Sequence, residues 1–502
     1  MNLVAALLGT ANPEALALLT AEGDVAYGQL AESVEAVARF LSDRGAKPGD
    51  RVAIVSENSL FAFAAYLGAI RNGQVAVPLA ANLAPEALRF IIHATGLRFA
   101  FVQAGALSDL EPCLREVPVV VVDRVVAATE LALETFSVVL AAEGPFRTVA
   151  EVTSETLAAL MFTSGSTSEP RGVMLTHGNI LENTQSILLY LKLSSADRVM
   201  MVLPYYYSFG ASLLHTHLSA GASLVLDRRF MFPDKVLARM RETRCTGFAG
   251  VPSHFQVLLR RSKLRTLEFP DLKWIQQAGG KLADHFIEEL SAALPQARLF
   301  IMYGATEATA RLCYLPPGLL HEKLGSVGKP IPGVTVQLLD DTGAEVAPGD
   351  VGEIVASGPN IAQGYFEAPL ETAETFRNGR LHTGDLARQD AEGFLFIVDR
   401  AKDFIKCGGT RTSSKMLEEL LLQFPDIVEA AVIGIPDDTL GEAVAAFVVA
   451  RQAGDDGLAQ RLLDFSAQAF PPHLVPRVVK LLQALPKNNA GKVIKRLLRQ
   501  YL

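Results

Sequence analysis

The chain runs to 502 residues, half of them hydrophobic and a fifth charged, with a formal net charge of −8. Such a length outgrows one compact core and points to a globular protein of two or more domains. The acidic balance, without a long basic stripe, disfavours nucleic acid and anionic membrane surfaces as partners.

The longest apolar runs, at 60–70 and 443–450, fall short of the roughly 18 residues that a bilayer span requires, so no membrane span is expected. Cys113, Cys245, Cys313 and Cys407 lack CxxC spacing and read as reduced thiols, not as a zinc site or a disulfide framework. Met1 to Leu19 is apolar but lacks a basic start and carries Glu14. It reads as part of a first helical layer, and a cytoplasmic location is the default expectation.

From Tyr27 the residues Leu30, Val34, Val37, Ala38 and Leu41 recur at helical spacing, and Pro48-Gly49-Asp50 leads into a strand at 51–55. A helix over 60–70, the stop at Gly73 and a strand over 75–79 complete a βαβ unit, which implies a parallel sheet covered by helices. The stretch 198–226 repeats that layout, so two similar α/β lobes are expected. Between Leu315 and Gly364 short β-rich pieces such as 334–339 and 352–356 alternate with turns, as in a small antiparallel or barrel-like region. Beyond Arg400 lie strands at 429–435 and 443–449 and helices at 458–470 and 493–501, enough for a separate small domain.

Thr163-Ser164-Gly165-Ser166-Thr167-Ser168-Glu169-Pro170-Arg171-Gly172 follows the apolar stretch 157–162. Backbone amides, hydroxyls and one guanidinium in such a loop can converge on a phosphate chain, although Ser/Gly runs also serve as plain turns. Four further clusters accompany it. Tyr303-Gly304-Ala305-Thr306-Glu307, preceded by Gly279-Gly280-Lys281, combines a ring that can stack on a purine with a phosphate-reaching hydroxyl and a carboxylate suited to Mg²⁺. His382-Thr383-Gly384-Asp385 sets a carboxylate in a turn, where it can accept ribose hydroxyls. A charge run, Asp399-Arg400-Ala401-Lys402-Asp403, marks the domain boundary, and Pro486 to Lys492 puts a lysine in a Gly/Asn turn. Each cluster alone can also be read as a surface turn or a solvated linker.

Together and in this order the clusters resemble those of the adenylate-forming superfamily of acyl-CoA synthetases, adenylation domains and beetle luciferases, over essentially the whole chain. The resemblance implies an α/β N-terminal domain of two βαβ-type lobes plus a small β-barrel-like region at 1–399, a hinge at 400–402 and a mobile α+β C-terminal domain at 403–502. It implies that ATP and Mg²⁺ convert a carboxylic acid to an acyl-AMP with release of pyrophosphate. A thiol, either coenzyme A or the phosphopantetheine of a carrier protein, then takes the acyl group. Fatty acid metabolism is one setting for such a ligase; a stand-alone adenylation enzyme and a non-catalytic nucleotide-binding relative are the alternatives.

Residue by residue, the resemblance makes Thr163, Ser164, Gly165, Ser166, Thr167 and Arg171 the β/γ-phosphate loop. Gly280, Lys281, Leu282, Tyr303 and Gly304 would border the adenine, Thr306 the α-phosphate, and Glu307 would ligate Mg²⁺. Asp385 and Arg400 would hold the ribose, with Lys402 at the hinge. Lys492 would bridge the acid's carboxylate and the α-phosphate, and Gly408 and Gly409 would line the thiol channel. Tyr207, Ser253, His254 and Gly279 are acyl-pocket candidates, while Trp274 reads as core. The chain departs from the family pattern at Ser168 and Arg171, where Gly and Lys are usual. It departs again at 413–418, where only Ser413 and Glu418 are kept.

Overall fold

The computed structural model describes residues 2–126, 129–142, 152–163, 170–400, 403–407, 410–452, 454, 457–488, 491 and 493–502. Two large sheets organise the N-terminal part. The first has seven strands, in the spatial order Leu133–Thr135, Val119–Val122, Phe99–Val102, Arg51–Val55, Val75–Leu79, Leu157–Thr163 and Arg171–Thr176. All neighbours are parallel except the last pair, an antiparallel hairpin in which Thr163 faces Arg171. The second has nine strands and is parallel through its centre, from Leu16–Leu19 across Ser223–Leu226, Arg198–Met201, Gly247–Gly250 and Trp274–Gln277 to Arg298–Tyr303.

The central strands are apolar on both faces because helices cover both. Val52 and Ile54 point into the core shared by the two sheets. Ala53 and Val55 point outward, against Leu88, Ile91, Leu107 and Leu110. Helix Leu60–Arg71, capped by the Ser59 hydroxyl, is buried along Phe61 to Ile70. A helix apolar on every side must be enclosed, and this one lies in the shared core with Tyr27–Asp43 and Ser208–Ser219.

The expected βαβ units are both present, one in each large sheet. The N-terminal expectation needs correction. Only Leu3–Leu8 is helical, whereas Leu16–Leu19 is a strand beside Ser223–Leu226. A run apolar on every side carries no period, so helix and buried strand were indistinguishable there.

Strands Thr335–Leu339, Val351–Ser357 and Arg380–Gln389, with Phe376–Arg377 and Leu395–Arg400, form the small antiparallel region. The smaller C-terminal α+β domain holds a sheet of Phe404–Cys407, Thr410–Ser413, Ile427–Asp437, Gly441–Ala450 and Val478–Leu482. Its last helix is shorter than the apolar pattern suggests, covering Lys495–Leu498 before a 3₁₀ turn. Val493 is drawn into a bridge with Lys487, and the Ile494 amide donates to the Pro486 carbonyl. All four cysteines are free and buried. Among the described residues no helix is long and apolar enough to cross a membrane.

Candidate active site

The strand Arg298–Tyr303 delivers Tyr303 to the end of the second sheet, where the chain doubles back sharply. A Cβ on Gly304 would stand 2.0 Å from the Ala310 carbonyl oxygen, so only glycine permits the reversal. A 3₁₀ turn, Thr306–Ala308, follows, and the Leu312 amide returns to the Tyr303 carbonyl. Asn360 clamps this turn by donating from Nδ2 to the carbonyls of Ala308, at 3.2 Å, and Arg311, at 2.8 Å.

Asp385 and Arg400 face each other across neighbouring antiparallel strands. The Arg400 Nε donates to Asp385 Oδ1 at 2.9 Å, and the Tyr303 hydroxyl donates to Oδ2 at 2.7 Å. Two residues, 82 and 15 positions away in the chain, thus share the one buried carboxylate of Asp385. Burial first, and then the Asp385 charge, push the Tyr303 phenol well above its usual value, while Asp385 raises the Arg400 guanidinium. Each Asp385 oxygen keeps a second lone pair for a ligand hydroxyl.

Glu307 has a partner that the sequence did not single out. The Tyr365 hydroxyl donates to Glu307 Oε1 at 2.8 Å, and the Arg171 guanidinium lies 5.6 Å from the Tyr365 ring centroid. Burial, then Glu307, raises the Tyr365 phenol. Tyr365 is held by main-chain bonds to the hairpin: the Met174 amide donates to the Gly364 carbonyl and Phe366 to Gly172. No local pattern marks it, since its role depends on two segments about 60 and 190 residues away in sequence meeting beside it. Ser208 was passed over as well; its Oγ lies 3.1 Å from Thr306 Oγ1.

Gly279 adopts φ +85, and Gly280 accepts from Gln277 Nε2 at 2.8 Å. The Leu282 side chain is buried in the core, and Lys281 Nζ pairs with Glu419 of the C-terminal domain at 2.6 Å. Their side chains are therefore engaged elsewhere, and backbone is what this stretch can offer a ligand. Ser253 Oγ donates to the Gly491 carbonyl at 3.1 Å, joining Gly491 to helix Pro252–Arg261. His254 packs on Phe230 with ring centroids 4.3 Å apart; burial, aided by Lys487, lowers it to about 3, which makes it a neutral group at pH 7. Of the three tyrosines, Tyr205 is wholly buried, its amide donating to Asn58 Oδ1 and its hydroxyl to the Ile54 carbonyl, and Tyr206 is buried beside it. Tyr207 is partly exposed and precedes helix Ser208–Ser219. Trp274 is buried against Gly247, as expected of core.

Ser164, Gly165, Ser166, Thr167, Lys402, Gly408, Gly409 and Lys492 lie outside the described residues. Thr163 and Arg171, which flank the loop, and Gly491, which precedes Lys492, are described. Among the described residues no cluster of three or more His, Cys, Asp or Glu side chains is arranged to hold a metal. A single carboxylate such as that of Glu307 still suits Mg²⁺, which takes one or two carboxylates and completes its shell with phosphate and water.

The arrangement gathers Tyr303, Thr306, Glu307, Asp385 and Arg400 at the edge of a large α/β domain, with a small domain packed against it. The family model of the AMP-binding enzyme matches residues 8–366, and that of the AMP-binding enzyme C-terminal domain matches 416–492. The chain belongs to the AMP-binding enzyme family. It is 30% identical over 491 residues to a feruloyl-CoA synthase of an Amycolatopsis species, covering 96% of this chain and 95% of that one. It is also 30% identical over 511 residues to the long-chain-fatty-acid–CoA ligase of Salmonella typhimurium, covering 94% and 89%. The solved structure of ATP-bound MatB from Rhodopseudomonas palustris superposes with a TM-score of 0.88 at 28% identity, covering 100% of this chain and 98% of that one.

Proposed function

We propose that this enzyme activates a small-molecule carboxylic acid with ATP, releasing pyrophosphate, and passes the acyl group to the thiol of coenzyme A. The observation that carries the reading is the single carboxylate of Asp385 bound by both Tyr303 and Arg400, beside the Thr306–Glu307 turn, in a chain that fits the family over both domains. The names of the relatives, which join CoA to acids, support the thiol acceptor.

A carboxylate at neutral pH is a poor electrophile. Attack of its oxygen on the α-phosphorus of ATP forms a P–O bond and expels pyrophosphate, and the acyl carbon then carries AMP as a good leaving group. The thiol forms a C–S bond to that carbon, AMP departs, and the thiol proton goes to solvent. In the first step two anions must approach each other, so cationic groups set the barrier. Lys492 supplies one positive charge between carboxylate and α-phosphate, and Arg171 with the 163–167 loop holds the β- and γ-phosphates. Glu307, oriented by Tyr365, would hold Mg²⁺, which when bound would neutralise phosphate charge. Thr306, steadied by Ser208, faces the α-phosphate. Asp385 and Arg400 take the ribose, and Tyr303 with the backbone of Gly280 to Leu282 and Gly304 borders the adenine. Tyr207, Ser253, His254 and Gly279 line the acid side.

The domains run 1–399 and 403–502 with a hinge at 400–402 around Lys402. The second half-reaction needs Lys492 withdrawn and a channel past Gly408 and Gly409 open to a pantetheine arm, whether on coenzyme A or on a carrier protein. ATP–pyrophosphate exchange with fatty, aromatic and amino acids, on wild type and Lys492→Ala in parallel, tests the reading. Exchange should depend on one acid class and fall about a hundredfold or more in the variant, as for loss of one preorganised charge. Undiminished exchange in Lys492→Ala would sink the mechanism.

A further inference from the structure

Arg311 is the most anomalous charge in the molecule. Its residue is only 1% exposed, yet among the described residues no carboxylate pairs with it and its Nη2 is buried without an acceptor. Its polar contact is a donation from Nε to the Tyr190 hydroxyl at 3.2 Å; otherwise the guanidinium lies over the Phe209 ring, 4.9 Å from the centroid. A hydroxyl and a ring face offset only part of the hydration that a buried cation loses.

The surroundings hold the group in place. The Arg311 carbonyl accepts from Asn183 Nδ2 at 3.1 Å and from Asn360 Nδ2 at 2.8 Å, which pins the backbone from two sides. Tyr190 is fixed in turn by stacking on Tyr314, with centroids 4.0 Å apart, and by donating to the Met302 sulfur. Phe209 directly follows Ser208, whose hydroxyl meets Thr306. The orphaned guanidinium is therefore linked through Phe209 and Ser208 to Thr306, the group assigned to the α-phosphate. A cation built rigidly into such a place, with a free pair of N–H donors in a planar fork, matches an anionic group that arrives with the substrate.

We infer that the acid activated here carries a second carboxylate, which Arg311 receives while the first is presented to the α-phosphate. This rests on the activation reading above and narrows it to dicarboxylic acids. Arg311 is then a specificity-determining residue, and the acid's own charge completes the buried pair.

The test measures AMP release with ATP and coenzyme A for dicarboxylates from malonate to adipate and for the three phthalates. Each is run beside its monomethyl ester and beside fatty and aromatic monoacids, on wild type, Arg311→Met and Arg311→Lys. At least one dicarboxylate should exceed its own ester about a hundredfold in kcat/KM, the scale set by one desolvated charge pair. That ratio should collapse in Arg311→Met, with the dicarboxylate falling and the ester rising, and should be only partly restored in Arg311→Lys. The same dicarboxylate, and not its ester, should raise the melting temperature of the wild type, a readout that does not depend on how any variant folds. Turnover of monoacids with none of the dicarboxylates would overturn this inference and leave the activation reading standing. A preference that survives in Arg311→Met would overturn it as well. No turnover with any acid would remove the activation reading and this one together.

Discussion

Asp385 carries more of the site's geometry than any other side chain, because Tyr303 and Arg400 both depend on it for orientation. Its carboxylate is buried while the Arg400 side chain remains half exposed. Asp385→Asn should therefore act mainly by misplacing its two partners and less by loss of ion-pair energy, which solvent screens at Arg400. One charged hydrogen bond of this kind is worth about 1.5–3 kcal/mol, so KM for ATP should rise on the order of tenfold or more. Steady-state kinetics at saturating acid would check this, and an unchanged KM would remove Asp385 from the nucleotide site. Asp385, Arg400, Tyr303 and Glu307 were legible from sequence because each sits in a short cluster whose residue types serve one chemistry. Tyr365 and Ser208 were not, since each acquires its role from a contact across more than 50 residues. For Lys281 and Leu282 the cluster was legible, but the ion pair with Glu419 and the burial in the core that engage their side chains were not.

At the scale of elements, the site depends on how strands end. The reversal at Gly304 leaves no room for a methyl group, since the obstacle 2.0 Å away is backbone and not a movable side chain. Gly304→Ala should cost about 1–3 kcal/mol, the usual range for forced overpacking. It should also shift Thr306 and Glu307, so urea unfolding and exchange activity should fall together; normal values of both would mean that the turn relaxes freely. The helix Ser414–Leu421 explains the two residues kept in the divergent 413–418 segment. Ser413 Oγ donates to Asp399 Oδ2 at 2.9 Å and accepts from the Met416 amide, which caps the helix. Glu418 accepts from the Val432 amide and pairs with Lys495 at 2.7 Å. The Ser413 bond, with a second from Ser414 Oγ to Asp399 Oδ2 at 3.1 Å, joins the end of the strand Leu395–Arg400 to the start of the small domain's helix, while Glu418 ties that helix to Val432 and Lys495.

Over the whole molecule, the buried histidines set how stability responds to acid. Burial lowers His177 to about 4, His215 to about 3 and His217 to about 4, and each is neutral in the folded chain near pH 7. In the unfolded chain the same groups take up protons near pH 6.5, so the unfolded state binds more protons below that pH. Stability should be intact above about pH 6.5 and decline by about 1.4 kcal/mol per pH unit for each histidine down toward pH 4. Urea midpoints between pH 7 and pH 4.5 would check this, and a flat profile would mean that these rings are hydrated. His215 bonds the Tyr66 hydroxyl at 3.1 Å and His177 accepts from the Leu3 amide, so these neutral rings also serve as hydrogen-bond partners inside the core. The sequence by itself determined the class of fold, both βαβ units, the antiparallel region, the small C-terminal domain and the order of the clusters that the proposal assigns to the nucleotide. All of these rest on period, turn chemistry or residue type within a few neighbours, which a linear text preserves. Only the tertiary structure decided that Leu16–Leu19 is a strand, that Tyr365 orients Glu307, and that Arg311 is buried without a counter-ion among the described residues. Each depends on what packs against a residue from far along the chain, and burial, pairing and desolvation exist only once those segments meet.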